Sequence, residues 1–165
     1  MREGGVDAVH LTIAYHEMFR EMVANVEQWN GWFERHSNLI FAGRTGDDVR
    51  QARSEGRTAI FFGFQNPSPI EDDIGLVEIC HILGARFMQL TYNNQSLLAT
   101  GCYESEDTGI TRMGRAVIAE MNRVGLVIDM SLQKDIKKIK KDAPADDDDP
   151  EPDHDGDEAA GGPAP

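Results

Sequence analysis

Residues 111–130 read Thr111-Arg112-Met113-Gly114-Arg115-Ala116-Val117-Ile118-Ala119-Glu120-Met121-Asn122-Arg123-Val124-Gly125-Leu126-Val127-Ile128-Asp129-Met130. Thr111 is a residue type that caps helix N-termini, and Met113, Val117, Ile118 and Met121 recur with helical spacing. Gly125 stands where such a helix would stop. Beyond it, Leu126-Val127-Ile128-Asp129-Met130 is a short apolar run of the kind that forms a strand covered on both faces. The order is helix, glycine, buried strand.

The same order appears twice more upstream. Asp72 or Asp73 opens a helix through Ile74, Val77, Ile79 and Ile82 that ends at Gly84, and Arg86-Phe87-Met88-Gln89-Leu90-Thr91-Tyr92 follows as a strand. Before that, Thr45-Gly46-Asp47-Asp48 has a capping residue and first-turn acids, Gly56 ends the helix, and residues 58–64 form the next strand. The chain begins with a strand over residues 6–14, followed by a helical pattern over residues 17–34 in which Met18, Met22, Val26 and Trp29 recur.

Repeated βα units with apolar strands predict an α/β fold built on a parallel sheet. An open doubly wound sheet is usually announced by a G-x-G-x-x-G turn, and none follows any strand here. Polar residues instead gather at strand ends. His10 and His16 bracket the end of the first strand, Gln65-Asn66 ends the second, Tyr92-Asn93-Asn94 the third, and Asp129 and Ser131 the fourth. In a βα barrel those ends form the active-site face. Four strands in roughly 130 residues are half of the usual eight in about 250. The expected fold is a partial (βα)8 TIM-type barrel of about four βα units over residues 1–131.

Composition sets further bounds. The 165 residues carry 16 Lys and Arg against 29 Asp and Glu, a formal charge of -13. Ten of the acids, and no Lys or Arg, fall in residues 142–165, which leaves 16 bases against 19 acids in the rest. Residues 142–165 are otherwise Pro, Ala and Gly with one His, a composition expected to form a disordered acidic tail. Residues 132–141 are a Lys-rich segment able to form a short basic helix, with Ile136 and Ile139 on one side. Its charge is cancelled by the adjacent acids, so no nucleic-acid partner is expected. No apolar run approaches the roughly 20 residues of a membrane span, and no signal peptide is read at the N-terminus. A cytoplasmic protein with no membrane partner is expected. Cys80 and Cys102 have no Cys-x-x-Cys spacing and read as incidental thiols. The run Asp146 to Asp149 lacks the alternating ligands and turn glycine of a calcium loop.

Four stretches together resemble the membrane (renal-type) dipeptidase family, in one collinear register over residues 1–131. They are Arg2-Glu3-Gly4-Gly5-Val6-Asp7-Ala8, the loop Phe64-Gln65-Asn66-Pro67-Ser68-Pro69-Ile70-Glu71-Asp72-Asp73, Leu90-Thr91-Tyr92-Asn93-Asn94, and Gly114-Arg115 onward to Ser131. The resemblance implies a zinc-dependent βα barrel hydrolysing dipeptides at a binuclear metal centre, and a match to the N-terminal half of such an enzyme.

Carried across residue by residue, the resemblance exposes gaps. The family's His-x-Asp zinc motif lies upstream of the part matching Arg2-Glu3-Gly4-Gly5. Gln65 stands where classical members place a metal-bridging Glu, and a carboxamide offers one ligating oxygen and no charge. Tyr92 stands where the family has a substrate-contacting His and retains one hydrogen-bond donor. Asn93 beside it is the second substrate-side candidate. The family's Asp-x-Ser-His appears as Asp129-Met130-Ser131-Leu132, without the ligating His. His10, His16, His36, His81 and His154 fall at none of the family's ligand positions and read as structural or solvent-facing.

Zinc is therefore expected in an intact relative, with no stoichiometric metal in this chain. One functional expectation is a dipeptidase-family chain inactive alone, from a truncated or frame-disrupted copy or a chimera. The other is a non-catalytic remnant or binding module. Open sheet edges point to self-association. A phosphate site at Thr45-Gly46-Asp47-Asp48 is disfavoured, because acids occupy the place of the anion.

Overall fold

The computed structural model describes residues 4–131. The Lys-rich segment 132–141, the acidic tail 142–165 and His154 lie outside the described residues, as do Arg2 and Glu3. The elements in chain order are β1 (Ala8–Ala14), α1 (Phe19–Arg35), β2 (Ile40–Ala42), α2 (Gly46–Glu55), β3 (Thr58–Phe64), a 3-10 turn at Ser68–Ile70, α3 (Gly75–Leu83), β4 (Ala85–Gln89), α4 (Arg112–Val124) and β5 (Val127–Asp129).

All strand pairs are parallel, and the main path runs β1-β3-β4-β5. Along that path the strands follow one another in chain order, with β2 set off it beside β3. A doubly wound sheet would reverse direction at a switch point, whereas a barrel does not. The fold is an arc of a βα barrel.

β2 was not read from the sequence. It has three residues, too few to show a periodicity, and it lies beside Thr58–Ile60 of β3. The Thr58 amide donates to the Leu39 carbonyl while the next amide, of Ala59, donates to Asp7. Successive strand amides point to opposite edges, so β2 sits across β3 from β1. The rest of that edge, Phe62 to Phe64, pairs with β4.

The helix limits follow local chemistry. Thr111 Oγ1 accepts from the Gly114 amide at 2.9 Å, capping α4. At α2, the Asp48 carboxylate accepts from the amides of Arg44 and Thr45. α3 starts at Gly75, with the Asp73 carboxylate accepting its amide proton at 2.8 Å. Each of α2, α3 and α4 stops at a glycine with positive φ, Gly56 (62°), Gly84 (116°) and Gly125 (80°), a backbone state that costs an L side chain about 1 kcal/mol or more.

β4 ends at Gln89 rather than at Tyr92. The Ser96 hydroxyl donates to the Leu90 carbonyl at 2.6 Å and the Thr91 hydroxyl to the Asn94 carbonyl. These bonds turn the chain away from the sheet. A long loop follows and is closed by an antiparallel bridge, Ala99 to Ile110.

β3 is the buried centre, with only Phe61 partly exposed among its seven residues. On its outer face, Phe62 packs against Trp29 and Phe33 of α1 at ring-centroid distances of 6.0 and 5.8 Å. Phe64, Met22, Met88, Leu90, Ile118, Met121 and Leu126 complete the layer between sheet and helices, all fully buried. The inner face carries Phe61, Gly63 and Phe87. There the His10 ring lies over Gly63, so close that a Cβ on Gly63 would fall 1.7 Å from Nε2. Among the described residues, no helix is long and apolar enough to cross a membrane.

Candidate functional site at the strand ends

The carboxyl ends of β1, β3 and β4 bring one group of side chains together. Tyr15 and His16 follow β1, Gln65 and Asn66 follow β3, and Tyr92 and Asn93 lie beyond β4. The Tyr15 ring meets Tyr92 edge-on at 5.0 Å and His16 at 4.0 Å. Asn66 Nδ2 lies 3.4 Å from His16 Nδ1. The turn beneath them is held by Glu17, whose carboxylate accepts the backbone amides of Tyr15 and His16. Those bonds, the Tyr15 amide first, hold the Glu17 carboxyl below its usual range.

Gln65 continues the β1–β3 ladder, its amide donating to the Ala14 carbonyl at 3.1 Å, and its side chain is half-buried. Tyr92 is half-buried at the rim. Asn93 is engaged in its own loop. Its carbonyl accepts from the Tyr103 amide at 2.9 Å, and its Oδ1 lies 3.9 Å from Cys102 Sγ. Gly101 packs directly on that carbonyl.

His10 does not sit at the strand end. It is the third residue of β1, paired with Phe61, and its ring lies against Phe87 at 4.6 Å. Partial burial pulls its imidazole below the ordinary value, outweighing the Asp129 carboxylate, which pulls it up. His16, by contrast, does stand at the strand end. Cys80 is buried in the core and Cys102 half-buried, both as free thiols.

Asp129 and Ser131 share a partner that the sequence pattern does not single out, Gln89. The Gln89 carboxamide is buried and donates to Ser131 Oγ at 2.6 Å and towards Asp129 Oδ2 at 3.4 Å. Among the described residues its Oε1 has no hydrogen-bond partner. Gln89 and Asp129 are register partners on β4 and β5. The available signal was one polar residue inside an otherwise apolar strand.

A pair of divalent ions requires several carboxylate or imidazole donors and a charged bridge. Among the described residues, no group of three or more His, Cys, Asp or Glu side chains could hold a metal ion. Gln65 offers a neutral oxygen at the end of β3, and the nearby His16 imidazole contacts Asn66. This donor set does not fit a binuclear zinc centre.

The arc and its strand-end cluster define a βα-barrel chain with its polar groups at the carboxyl ends of the strands, the face on which barrel enzymes place their chemistry. The sequence profile of the membrane dipeptidase family, peptidase family M19, matches residues 1–135, and the chain belongs to that family of metallopeptidases. It is similar to the dipeptidase verJ of Clonostachys rogersoniana, 27% identical over 135 residues that cover 78% of this chain and 35% of that protein. It also resembles the crystal structure of an amidohydrolase from Pseudomonas aeruginosa, with 38% identity and a TM-score of 0.80 over 86% of this chain and 44% of that one. A metallopeptidase from Rhodobacter sphaeroides, liganded with a phosphinate mimic of the dipeptide L-Ala-D-Ala, shares the fold at a TM-score of 0.74 and 20% identity. The match covers 88% of this chain and 52% of that one. The chain spans about a third of the length of the curated relatives it matches.

Proposed function

We infer that this chain carries the substrate-side strand ends of a dipeptidase barrel and does not hydrolyse dipeptides on its own. The observation that carries this reading is Gln65 at the end of β3. It supplies a neutral carboxamide where two divalent ions would need a shared negative charge. Dipeptides are the substrate class, a reading supported by the family and by the dipeptide mimic bound to the Rhodobacter relative. Zinc is the metal of the intact family in this reading.

In this scheme Tyr92 donates its hydroxyl proton to the ligand, and Asn93 shapes the wall beside it. Asn66 and His16 add polar groups at the same rim. Such a set can bind and orient an amide without breaking it, which is the non-catalytic reading in chemical terms.

The test is zinc content after equilibrium dialysis, with hydrolysis of L-Ala-D-Ala followed before and after chelation. Less than one zinc per chain and no chelator-sensitive turnover are expected. Two tightly held ions with chelator-sensitive turnover would overturn the reading. Gln65→Glu restores one carboxylate and should tighten zinc binding on the order of tenfold, about 1.4 kcal/mol. An unchanged affinity would show that the Gln65 side chain does not face a metal.

A further inference from the structure

A cavity of about 220 Å³ lies between the 3-10 turn and the loop beyond β4, with Met18, Ile70, Leu97 and Leu98 as apolar walls and Ser68 and Glu71 in its lining. No Lys, Arg or His is among its described lining residues, and Glu71 makes no ion pair among the described residues. Ser68 keeps a buried hydroxyl with no hydrogen-bond partner among those residues. A buried hydroxyl left in that state costs stability until something pairs with it. Glu71 is itself held in a strained conformation. Among the described residues it alone has a positive φ, 50°, without being glycine. Glycine would take that backbone freely, and strain of this kind clusters where a side chain binds a ligand. Capping α1 explains little of it. The Phe19 amide reaches Glu71 Oε1 at 3.4 Å, against about 2.9 Å for a well-made bond.

We propose that this cavity binds a small primary amine carried on an apolar body. A protonated amine has three donors and no acceptor. The Glu71 carboxylate accepts one of them and balances the charge, and Ser68 Oγ accepts another and gains the partner it lacks. The carbon chain lies against the apolar walls, where Met18 and Leu97 are exposed and gain cover from it. A ligand carboxylate would meet Glu71 with like charge, so anions are rejected. The volume falls below the roughly 300–1,000 Å³ of drug-sized sites, which limits the ligand to a short chain. Asn66 lines the cavity and also contacts His16, so the site adjoins the strand-end cluster. It uses neither Gln65 nor Tyr92 and stands whether or not dipeptides bind there.

Titration of the full 165-residue chain at pH 7 with isopentylamine, and with isopentanol as its uncharged counterpart, tests this by backbone amide NMR. Saturable shifts at residues 68–71 and 96–98 are expected, with a dissociation constant on the order of 1 mM for the amine and about tenfold weaker binding of the alcohol. Glu71→Gln should bring the amine down to the level of the alcohol. Glu71→Gly should lose the same affinity while raising Tm, because glycine accepts the positive φ. Ser68→Ala should weaken the amine roughly threefold without lowering Tm. Asp72→Asn removes a neighbouring exposed acid and should leave binding unchanged. Equal affinity for amine and alcohol, full amine binding by Glu71→Gln, an equal loss in Asp72→Asn, or shifts that do not saturate would each overturn the proposal. A fall in Tm for Glu71→Gly would assign the carboxylate to the cap of α1 and overturn it as well.

Discussion

Gly114→Ala sets two effects of opposite sign against each other. Gly114 lies in the first turn of α4, and alanine there should favour the helix by about 0.8–1 kcal/mol. The structure leaves no room for it. A Cβ at this position would fall 2.1 Å from the Leu98 carbonyl oxygen and 2.7 Å from Ile110 Cγ2. An ordinary carbon–oxygen approach is about 3.3 Å, so the backbone at Leu98 must retreat by about 1 Å. That carbonyl accepts from the Thr111 amide at 2.8 Å, and the Thr111 hydroxyl is tied to the Leu97 carbonyl at 2.6 Å. Overpacking of this kind costs about 1–3 kcal/mol and a weakened backbone bond about 1 more. Set against the helix gain, the net loss is about 2 kcal/mol, a fall in Tm of roughly 5–10 °C. Thermal and urea unfolding followed by circular dichroism measure it. Ala119→Gly, at an exposed position of the same helix, should cost only its propensity of about 1 kcal/mol. A rise in Tm for Gly114→Ala would refute the close packing of α4 on the loop that follows Tyr92.

Two further expectations concern titration and reactivity. The Glu17 carboxyl is held below its ordinary value, so its contribution is present above the unfolded carboxyl pKa and lost as pH falls through the folded one. Glu17→Gln should therefore lower Tm at pH 7, and the gap should close towards pH 3; a pH-independent gap would mean that the carboxylate bonds to Tyr15 and His16 are not the cause. Burial pushes the Cys80 thiol up to about 12, so at pH 8 it should resist iodoacetamide in the folded chain and label only on denaturation. Labelling at the rate of a free thiol, read by peptide mass spectrometry, would show that the core around α3 opens readily.

Much of the fold was legible because its signals are local. A helix stop needs a glycine able to take positive φ, and Gly56, Gly84 and Gly125 mark three helix ends within a residue. β3 occupies residues 58–64, where an apolar run meets flanking turn signals. β2 was not legible, since three residues carry no period and pair only because β3 offers half an edge. The end of β4 was misplaced because the hydroxyls of Thr91 and Ser96 capture backbone carbonyls across a turn, which strand propensity does not register.

The sequence by itself determined the class and the family, because periodicity, caps and motif residues are written along one chain. Tertiary structure alone decided which of those residues meet. Strand register sets Gln89 beside Asp129, the inward-facing phase of β1 lays His10 over Gly63 instead of at the rim, and edge-on packing joins Tyr15 to Tyr92. Those neighbours are 40, 53 and 77 positions apart, separations over which only the closing of the sheet, not any local preference, sets the distance.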